Sequence, residues 1–398
     1  MNILFIFNAD ISPTAAGGAT GVTHLLAQFL SETYSYGTSL AYFDKHKVPS
    51  PIKSKFHITK QSIDNEFKNY LIKNRINTII VSHVLKHNNH FISKIYEAAK
   101  SLNIKVIQWF HNQPGVELYY YGSLSRVLYS LKSRKNVWIN TFYYFTTIFR
   151  GLYSKIASQF LKNKYEMRYE NCDAYVLLSK NYIEKYAKIA KVADKSKFYA
   201  INNALRFNKE VPNSVLSEKQ KEVLIIANLN DSTKRISLAL KVWKIVEKQN
   251  QEWTLRIVGD GQDKEYCQYL VRKMNLCNVY FEGWQKDPTE YYKKSSIFLM
   301  TSGNEGWGLV LTEAQQMGVV PIAFNSYDAI YDIIQNGENG IIVKDNNLQM
   351  YAEQLMDLMQ NDKRRQTMAK NALSSCQKFA LPNILKQWVD LFNTLHNL

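Results

Sequence analysis

The amino-acid sequence predicts an α/β protein with two Rossmann-like domains that face each other across a cleft. Three observations support this fold class. The length of 398 residues suits two domains of ordinary size. Short apolar runs alternate with helical patterns, which is typical of proteins with parallel sheets. The alternation also starts a second time after a polar segment at residues 206–220, which we interpret as a linker.

The first domain, residues 1–205, begins with an apolar run at residues 2–7. Gly17 and Gly18 follow this run and precede a helical pattern, so the predicted order is strand, glycine loop and helix. Four further apolar runs bounded by polar residues are predicted strands, at residues 38–43, 78–81, 105–109 and 174–178. Helical stretches between several of these runs imply that the strands pair in parallel.

The second domain, residues 221–380, repeats this alternation. Its predicted strands lie at residues 223–227, 255–258, 279–281, 297–300, 319–324 and 341–343. Its predicted helices lie at residues 236–248, 263–274, 309–317, 348–359 and 363–379. A final amphipathic helix at residues 381–398 is expected to cross back to the first domain. Ligands of such sheets bind at the carboxyl ends of the strands, so the cleft between the domains is the predicted site.

The composition excludes several classes of protein. With 46 % apolar and 21 % charged residues, the chain is neither disordered nor collagen-like. No apolar stretch reaches the roughly 18 residues that span a bilayer, and the first residues lack a signal-peptide pattern, so we expect a cytoplasmic protein. The cysteines lack the short spacings of zinc or redox motifs. We expect buried free thiols at Cys172, Cys267, Cys277 and Cys376.

The net charge of +16 favours an anionic partner. Half of the excess comes from residues 119–165, which contain eight basic residues, thirteen aromatic residues and no Asp or Glu. This mixture suits the boundary between anionic lipid headgroups and acyl chains, although core helices with basic outer faces are an alternative. Nucleic-acid binding would use similar residues, but no other feature supports it. The candidate membrane or acceptor contacts are Arg126, Lys132, Arg134, Lys135, Trp138 and Arg150.

The segment that carries the most chemistry is 302–318, where a strand is followed by a glycine-rich turn and a helix. Gly306 and Gly308 let a ligand approach the backbone, and the first N–H groups of the helix favour an anion there. Leu309 and Glu313 are four residues apart, which puts the Glu313 carboxylate on an apolar stripe. A charge in that place needs a partner, because an unpaired buried carboxylate is costly.

Glu305 and Glu313, separated by seven residues that begin Gly-Trp-Gly, resemble the signature of the group-1 (family 4) retaining glycosyltransferases. The resemblance continues through the second half at residues 257–261, 279–283, 291–302 and 333–340. It implies the GT-B architecture and a nucleotide-diphosphate sugar as donor. It also implies that Glu305 contacts hydroxyls of the donor sugar and Glu313 the nucleotide ribose. Further implied donor contacts are Gly259, Gly261, Gly306, Trp307, Gly308 and Leu309.

The loop at residues 227–235 stands where this family holds the donor diphosphate with an Arg and a Lys. Lys234 matches the Lys, whereas Asn228 occupies the position of the Arg. An amide donates hydrogen bonds without supplying a charge, so Arg235, next to the Lys, is the candidate replacement. A solvated Lys-Arg pair at the start of a surface helix is the alternative interpretation.

The first domain resembles the family more loosely. Its glycine loop, Gly17 and Gly18, corresponds to the loop that lies beside the donor phosphates in the family. His111 follows a predicted strand and matches the histidine that contacts the transferred sugar, although a lone histidine is often structural. Asn203 resembles the Asn after the last strand of the first domain, and we expect a role in a turn.

The resemblance implies a retaining, metal-independent enzyme that needs no cofactor, with Glu305, Lys234 and His111 as catalytic residues. We expect it to move a hexose or N-acetylhexosamine from a nucleotide-diphosphate sugar, a UDP-sugar, to a lipid-linked or saccharide acceptor of a bacterial surface polysaccharide such as lipopolysaccharide, O-antigen or capsule. Its expected place is the inner face of the cell membrane, as a peripheral protein.

Two other classes of function remain open. A nucleotide-sugar epimerase of similar fold would alter the donor without an acceptor. A protein that binds a nucleotide sugar or an anionic lipid without catalysis would also fit, given Asn228 in place of an Arg. A nicotinamide enzyme is disfavoured, because the run from Gly17 to Gly21 lacks the G-x-G-x-x-G spacing.

Overall fold

The computed structural model describes residues 1–9, 18–44, 52, 54–82, 89–117, 150–207 and 211–398. Within these ranges the strands form one seven-stranded and one six-stranded sheet, and the strand pairs in both sheets are parallel. The chain divides into two compact units. The first unit is Met1–Ala204 with Pro382–Leu398, and the second is Leu205–Leu381. The predicted α/β class with two Rossmann-like halves is confirmed.

The first unit holds the seven-stranded sheet, in the order β3-β2-β1-β4-β5-β6-β7. Its strands are β1 (Asn2–Ala9), β2 (Gly37–Asp44), β3 (Ser54–His57), β4 (Thr78–Ser82), β5 (Lys105–Phe110), β6 (Ala174–Leu177) and β7 (Phe198–Ala200). Its helices before the linker are α1 (Gly18–Tyr34), α2 (Asn65–Lys73), α3 (Asn89–Ser101), α4 (Arg150–Glu170) and α5 (Asn181–Ala190). The strand order reverses between β1 and β4.

The second unit holds the six-stranded sheet, in the order β10-β9-β8-β11-β12-β13. Its strands are β8 (Gln220–Ile226), β9 (Thr254–Val258), β10 (Val279–Gly283), β11 (Ser295–Met300), β12 (Val320–Asn325) and β13 (Ile341–Lys344). Its helices are α6 (Asp231–Lys234), α7 (Ile236–Val246), α8 (Lys264–Lys273), α9 (Thr289–Lys294), α10 (Leu309–Gln316), α11 (Ile330–Ile333), α12 (Leu348–Gln360) and α13 (Asp362–Ser375). The order reverses between β8 and β11, as it does between β1 and β4 in the first unit.

The central strands are apolar because helices cover both faces of a parallel sheet. All five residues of β4 and all six of β11 are buried. In the second unit, a core of Val, Ile and Leu side chains from the sheet packs against α7 and α12 and includes the fully buried Trp243. Full burial of one Val, Ile or Leu side chain stabilises the fold by about 1.5–3 kcal/mol.

The last helix, α14 (Leu381–His396), belongs to the first unit from Pro382 onward. The Trp388 ring packs edge to face on Trp109 of β5, with the ring centroids 4.9 Å apart. Near its end, His396 Nε2 shares a 2.8 Å hydrogen bond with the hydroxyl of the buried Thr78. The predicted return of the final helix to the first domain is therefore confirmed.

Two strands lie where the sequence pattern predicts none. β3 has the sequence Ser-Lys-Phe-His, is half-buried throughout and pairs only with β2, so it lacks the apolar run of a central strand. β7 has only three residues and pairs at the other edge of the sheet. Edge strands bury less surface than central ones, so their apolar signal is weak.

Three further features differ from the sequence-based expectations. The predicted linker contains a 3₁₀ helix, Asn213–Glu218, with Val215 buried, and β8 already begins at Gln220. Helix α13 ends at Ser375 and a 3₁₀ turn continues it to Phe379. The prediction of four buried thiols is wrong for Cys277, which is exposed, while the other three are buried and all four are free. None of the helices in the described ranges is both long and apolar enough to cross a membrane.

Candidate active site

The candidate site of the second unit lies where its strand order reverses. β8 and β11 are neighbours there, and their crossover connections leave in opposite directions. The loops after their carboxyl ends, residues 227–235 and 301–308, therefore lie side by side. In open α/β sheets this switch point is the usual place for a ligand.

Hydrogen bonds join these two loops into one structure. The Gly303 N–H donates to the Thr233 carbonyl at 2.8 Å. The Thr301 hydroxyl lies 3.0 Å from the carbonyl oxygens of both Lys234 and Arg235. These hydrogen bonds to backbone carbonyl oxygens fix the positions of the side chains on the two loops.

Lys234 and Glu305, which the sequence proposes as catalytic residues, meet at this junction. The Lys234 ammonium lies 2.5 Å from Glu305 Oε1, and the two side chains are 27 % and 16 % exposed. A charge-assisted hydrogen bond in a partly buried place is stronger than one on the surface. The structure thus holds one cation and one carboxylate at the edge of the sheet where ligands bind.

Arg235 follows Lys234 in the left-handed conformation, with φ of 51°. Its Nε and Nη2 groups donate to the carbonyl oxygens of Thr301 and Ser302, at 2.7 and 2.8 Å. The guanidinium also donates to both carboxylate oxygens of Asp345 and to the amide oxygen of Asn346. Its five N–H donors therefore all have partners within the protein, and this arrangement fixes the loop. A role for Arg235 as the second donor-binding cation stays a prediction.

Asn228 is exposed in the same loop, and two predicted glycines pack against its neighbours. Gly259 has φ of +137°, and a Cβ there would lie 1.9 Å from the Ala227 carbonyl oxygen. A Cβ at Gly261 would lie 2.7 Å from the backbone of Leu229. Both glycines are needed because the loop after β9 runs directly against the loop after β8.

Helix α10 begins next to Glu305. Gly308 precedes it with φ of +96°, and a Cβ at that position would lie 2.4 Å from the Tyr327 hydroxyl oxygen. Gly306 and Leu309 are half-buried, whereas the Trp307 ring is buried and packs edge to face on Phe379. The N–H groups of the first turn of a helix have no intrahelical acceptor and carry the positive end of the helix dipole. An anion is therefore favoured at this end of α10.

Glu313, on the second turn of α10, is 3 % exposed and has two partners. The Tyr292 hydroxyl donates to Oε2 at 2.8 Å, and Arg206 Nη1 lies 3.4 Å from Oε1. Burial, together with the Glu313 charge, raises the pKa of the Tyr292 hydroxyl well above its ordinary value, so it remains a donor. Neither Tyr292 nor Arg206 was predicted as a site residue. The sequence did indicate that Glu313 needs partners, because its carboxylate lies on an apolar stripe.

In the first unit, His111 follows β5 and is buried. Its Nε2 shares a 2.8 Å hydrogen bond with Ser82 Oγ at the end of β4. The Thr23 hydroxyl of α1 donates to the Ala19 carbonyl at 2.8 Å and lies 3.3 Å from Ser82 Oγ. The His111 ring also packs on Trp109, with the ring centroids 4.2 Å apart. The histidine is thus held at the carboxyl end of β5 by its contacts with Ser82 and Trp109.

Several other predicted residues belong to parts of the chain that the structure does not describe. Those outside the described residues are Gly17, Arg126, Lys132, Arg134, Lys135 and Trp138. Gly18 is the exposed first residue of α1, and Arg150 is the first residue of α4. Within the described ranges, no three His, Cys, Asp or Glu side chains cluster as metal ligands would.

Comparison with known proteins places the loops of this site within a matched segment. Residues 207–375 match the family model "Glycosyl transferases group 1". A glycosyltransferase of amylovoran biosynthesis from Erwinia amylovora, AmsD, is 30 % identical over 203 residues, which are 51 % of this chain and 55 % of that protein. The chain spans about half the length of the first curated relatives that it matches.

Solved structures extend the likeness in fold to the whole chain. The apo form of the lipopolysaccharide outer core galactosyltransferase WaaB superposes with a TM-score of 0.69, 17 % identity and 99 % of each chain covered. Anabaena HepE in complex with UDP and glucose superposes with a TM-score of 0.70 and 14 % identity, over 99 % of this chain and 100 % of HepE. Residues 207–375 of this chain are therefore similar to the group 1 glycosyl transferases, and the chain as a whole has the two-domain α/β fold of these solved structures.

Proposed function

We propose that this protein is a retaining glycosyltransferase. It moves a hexose or N-acetylhexosamine from a nucleotide-diphosphate sugar, a UDP-sugar, to a lipid-linked or saccharide acceptor of a bacterial surface polysaccharide. The observation that carries the proposal is the contact between Lys234 and Glu305 beside the glycine-flanked start of α10. This contact lies within the segment that matches the group 1 family.

The proposed chemistry follows from the charge that develops when the bond between sugar and phosphate breaks. Negative charge then grows on the diphosphate, and fixed positive potential stabilises the transition state. Lys234 and the N-terminus of α10 supply that potential from positions fixed by the backbone contacts between the two loops. In the proposal, Glu305 accepts hydrogen bonds from the sugar hydroxyls and Glu313 from the ribose.

Retention of configuration is proposed to proceed by attack of the acceptor hydroxyl on the face that the phosphate leaves, with the phosphate taking up the proton. No covalent nucleophile is assigned, and metal independence is part of the proposal. The predicted contact between His111 and the transferred sugar also remains a proposal.

The names of similar proteins support the choice of substrates. One relative acts in amylovoran biosynthesis, and WaaB is a lipopolysaccharide galactosyltransferase. HepE was solved with UDP and glucose. These names favour a uridine nucleotide and a surface glycan over other donors and acceptors.

Glu305→Gln tests the contact between Lys234 and Glu305 directly. A panel of UDP-sugars is offered with a lipid-linked glycan acceptor, and transfer is measured by mass spectrometry. We expect the variant to lose about 10²-fold or more in kcat/KM, because a neutral amide forms no ion pair with Lys234 and replaces one acceptor oxygen with an NH2 donor. The matched control is Glu353→Gln, at an exposed position of α12. A loss in E305Q of less than about tenfold, or equal to that of the control, contradicts the proposed site.

Products formed from a UDP-sugar alone separate the other two classes. An epimerase converts the donor without an acceptor, and a non-catalytic binding protein leaves it unchanged with or without one. Either outcome for the wild-type protein overturns the proposed transfer reaction.

We also propose that the first unit contacts an anionic membrane surface. In the described part of α4, Ile156 and Phe160 are 60 % and 64 % exposed and lie one turn apart on the same face. Exposed apolar side chains on a basic helix suit the lipid interface. Flotation with phosphatidylglycerol vesicles at low salt tests this, and I156S/F160S is expected to lower the bound fraction severalfold. Equal flotation of the double variant and the wild type contradicts the contact.

A further inference from the structure

Glu313 is held by the segment that connects the two units, which the sequence analysis treated as a linker. Arg206 and Phe207 come immediately after the first residue of the second unit, Leu205. Arg206 Nη1 lies 3.4 Å from Glu313 Oε1, and the Gln316 side-chain amide donates to the Phe207 carbonyl at 2.6 Å. The connecting segment thus contacts α10 at both Glu313 and Gln316.

The end of the same segment also contacts the elements around Glu313. The Lys219 amine lies 2.8 Å from the Tyr292 carbonyl oxygen and 2.6 Å from that of Met317. Tyr292 is the residue whose hydroxyl donates to Glu313, and Met317 is the C-cap of α10. The ring of Phe207 packs edge to face on Tyr292, 6.0 Å between centroids. Both ends of the connecting segment therefore determine where α10 and Tyr292 lie.

Among the residues that the structure describes, Tyr292 and Arg206 are the hydrogen-bond partners of the Glu313 carboxylate. Tyr292 faces its Oε2 from α9, and Arg206 faces its Oε1 from the connecting segment. The charge of Arg206 in turn acts on Asp287, ahead of α9. Arg206 is half-exposed, while Glu313 is almost fully buried. A separation of 3.4 Å is long for a hydrogen bond but within the range of an ion pair, so its effect is chiefly that of an opposite charge on a buried carboxylate.

We infer that Arg206 is a positioning residue of the donor site, which holds the Glu313 carboxylate in the orientation that accepts hydrogen bonds from the donor nucleotide. This inference rests on the proposed function. Removing one partner of a buried charge leaves that charge uncompensated. Without Arg206, Tyr292 still donates to Oε2, whereas Oε1 loses its cation. The orientation of the carboxylate is then fixed at one oxygen instead of two.

The test measures the affinity for UDP by calorimetry. The proteins are the wild type, Arg206→Ala, Arg206→Lys, Glu313→Gln and the double variant R206A/E313Q, with Arg272→Ala as the control at an exposed position. We expect R206A to weaken binding about tenfold. R206K, which retains a charge, should recover much of the loss. In the E313Q background, removing Arg206 should change the affinity little.

Two results would overturn the inference. An affinity of R206A equal to that of the wild type leaves Arg206 without a role at the site, and an equal loss with and without Glu313 makes its role independent of that carboxylate. A wild-type protein that does not bind UDP contradicts the proposed donor instead. The melting temperatures of the wild type, R206A, E313Q and the double variant then decide the inference alone. R206A should lower the melting temperature more in the wild type than in the E313Q background, and an equal shift in both overturns it.

Discussion

The two units share a sheet topology and differ in the chemistry at the point where the strand order reverses. In the first unit, His111, Ser82 and Thr23 meet there through side-chain hydrogen bonds. In the second unit, Lys234 and Glu305 meet at the corresponding point as an ion pair. The comparison teaches that the order of strands decides where a site forms, whereas the loop residues decide what it binds.

The backbone also differs between the places in the two sheets where the strand order reverses. In the second unit, Gly259 and Gly261 let one loop run directly against another, and Gly308 starts α10 at positive φ. In the first unit, Gly21 lies within α1, and a Cβ there would meet nothing within 4 Å. The charged site therefore depends on close backbone packing that the described part of α1 does not require.

The largest expected effect is that of Lys234→Ala, which tests whether the positive charge of the second unit drives the reaction. We expect kcat/KM for sugar transfer to fall about 10²- to 10³-fold, because the variant loses fixed charge at the developing diphosphate. Lys241→Ala, at an exposed position of α7, is the control and should retain full activity. A decrease of only severalfold in K234A would contradict the idea that the positive charge of the second unit drives the reaction.

Gly259→Ala tests the packing contrast. A Cβ there would meet the Ala227 carbonyl oxygen at 1.9 Å, and the positive φ adds strain. We expect a loss of about 2–3 kcal/mol, seen as a fall of roughly 5–10 °C in the melting temperature. Gly21→Ala in α1 is the counterpart and should raise the melting temperature slightly, because alanine is the better helix former. The contrast fails if the two alanines shift the melting temperature equally.

Ser82→Ala tests the hydrogen-bonded chain of the first unit. The variant removes the hydroxyl bonded to His111 Nε2 while leaving the strand and the histidine in place. A typical hydrogen bond contributes about 0.5–1.5 kcal/mol net, so we expect kcat/KM to fall about three- to tenfold. Ser82→Thr, which retains the hydroxyl, should recover part of the activity. A loss as large as that of K234A would show that this hydrogen-bonded chain matters as much as the ion pair of the second unit.

The smallest expected effect concerns the amine of Lys219, which contacts the Met317 carbonyl oxygen at the end of α10. Burial lowers the pKa of Lys219 to about 7 from its ordinary value of 10.5. Between these pH values the unfolded chain binds a proton that the folded protein does not, so the free energy of unfolding rises with pH across that interval. Lys219→Met should remove this rise, measured as the change in melting temperature between pH 7 and 9, with Lys241→Met as the control. Identical pH dependence in K219M and the wild type contradicts the assigned pKa.

Much of this molecule could be predicted from patterns that are local in the sequence. Apolar runs such as residues 2–7 and 297–300 lie within the observed strands β1 and β11, because a buried parallel strand needs a continuous apolar segment. Lys234 and Glu305 stand in the loops that follow two such strands, and the topology rule alone brings these loops to one edge. The edge strands β3 and β7 were missed because a weakly buried strand has no such signal.

The class of fold, the glycine-rich start of α10 and the requirement of Glu313 for a partner all follow from the sequence. The identity of its partners, Tyr292 and Arg206, follows from tertiary packing. Arg206 and Glu313 are 107 positions apart, and the guanidinium of Arg235 finds its acceptors near residues 301 and 345. Contacts between distant segments depend on how the loops pack against one another, and the periodicity of any one segment does not encode that packing.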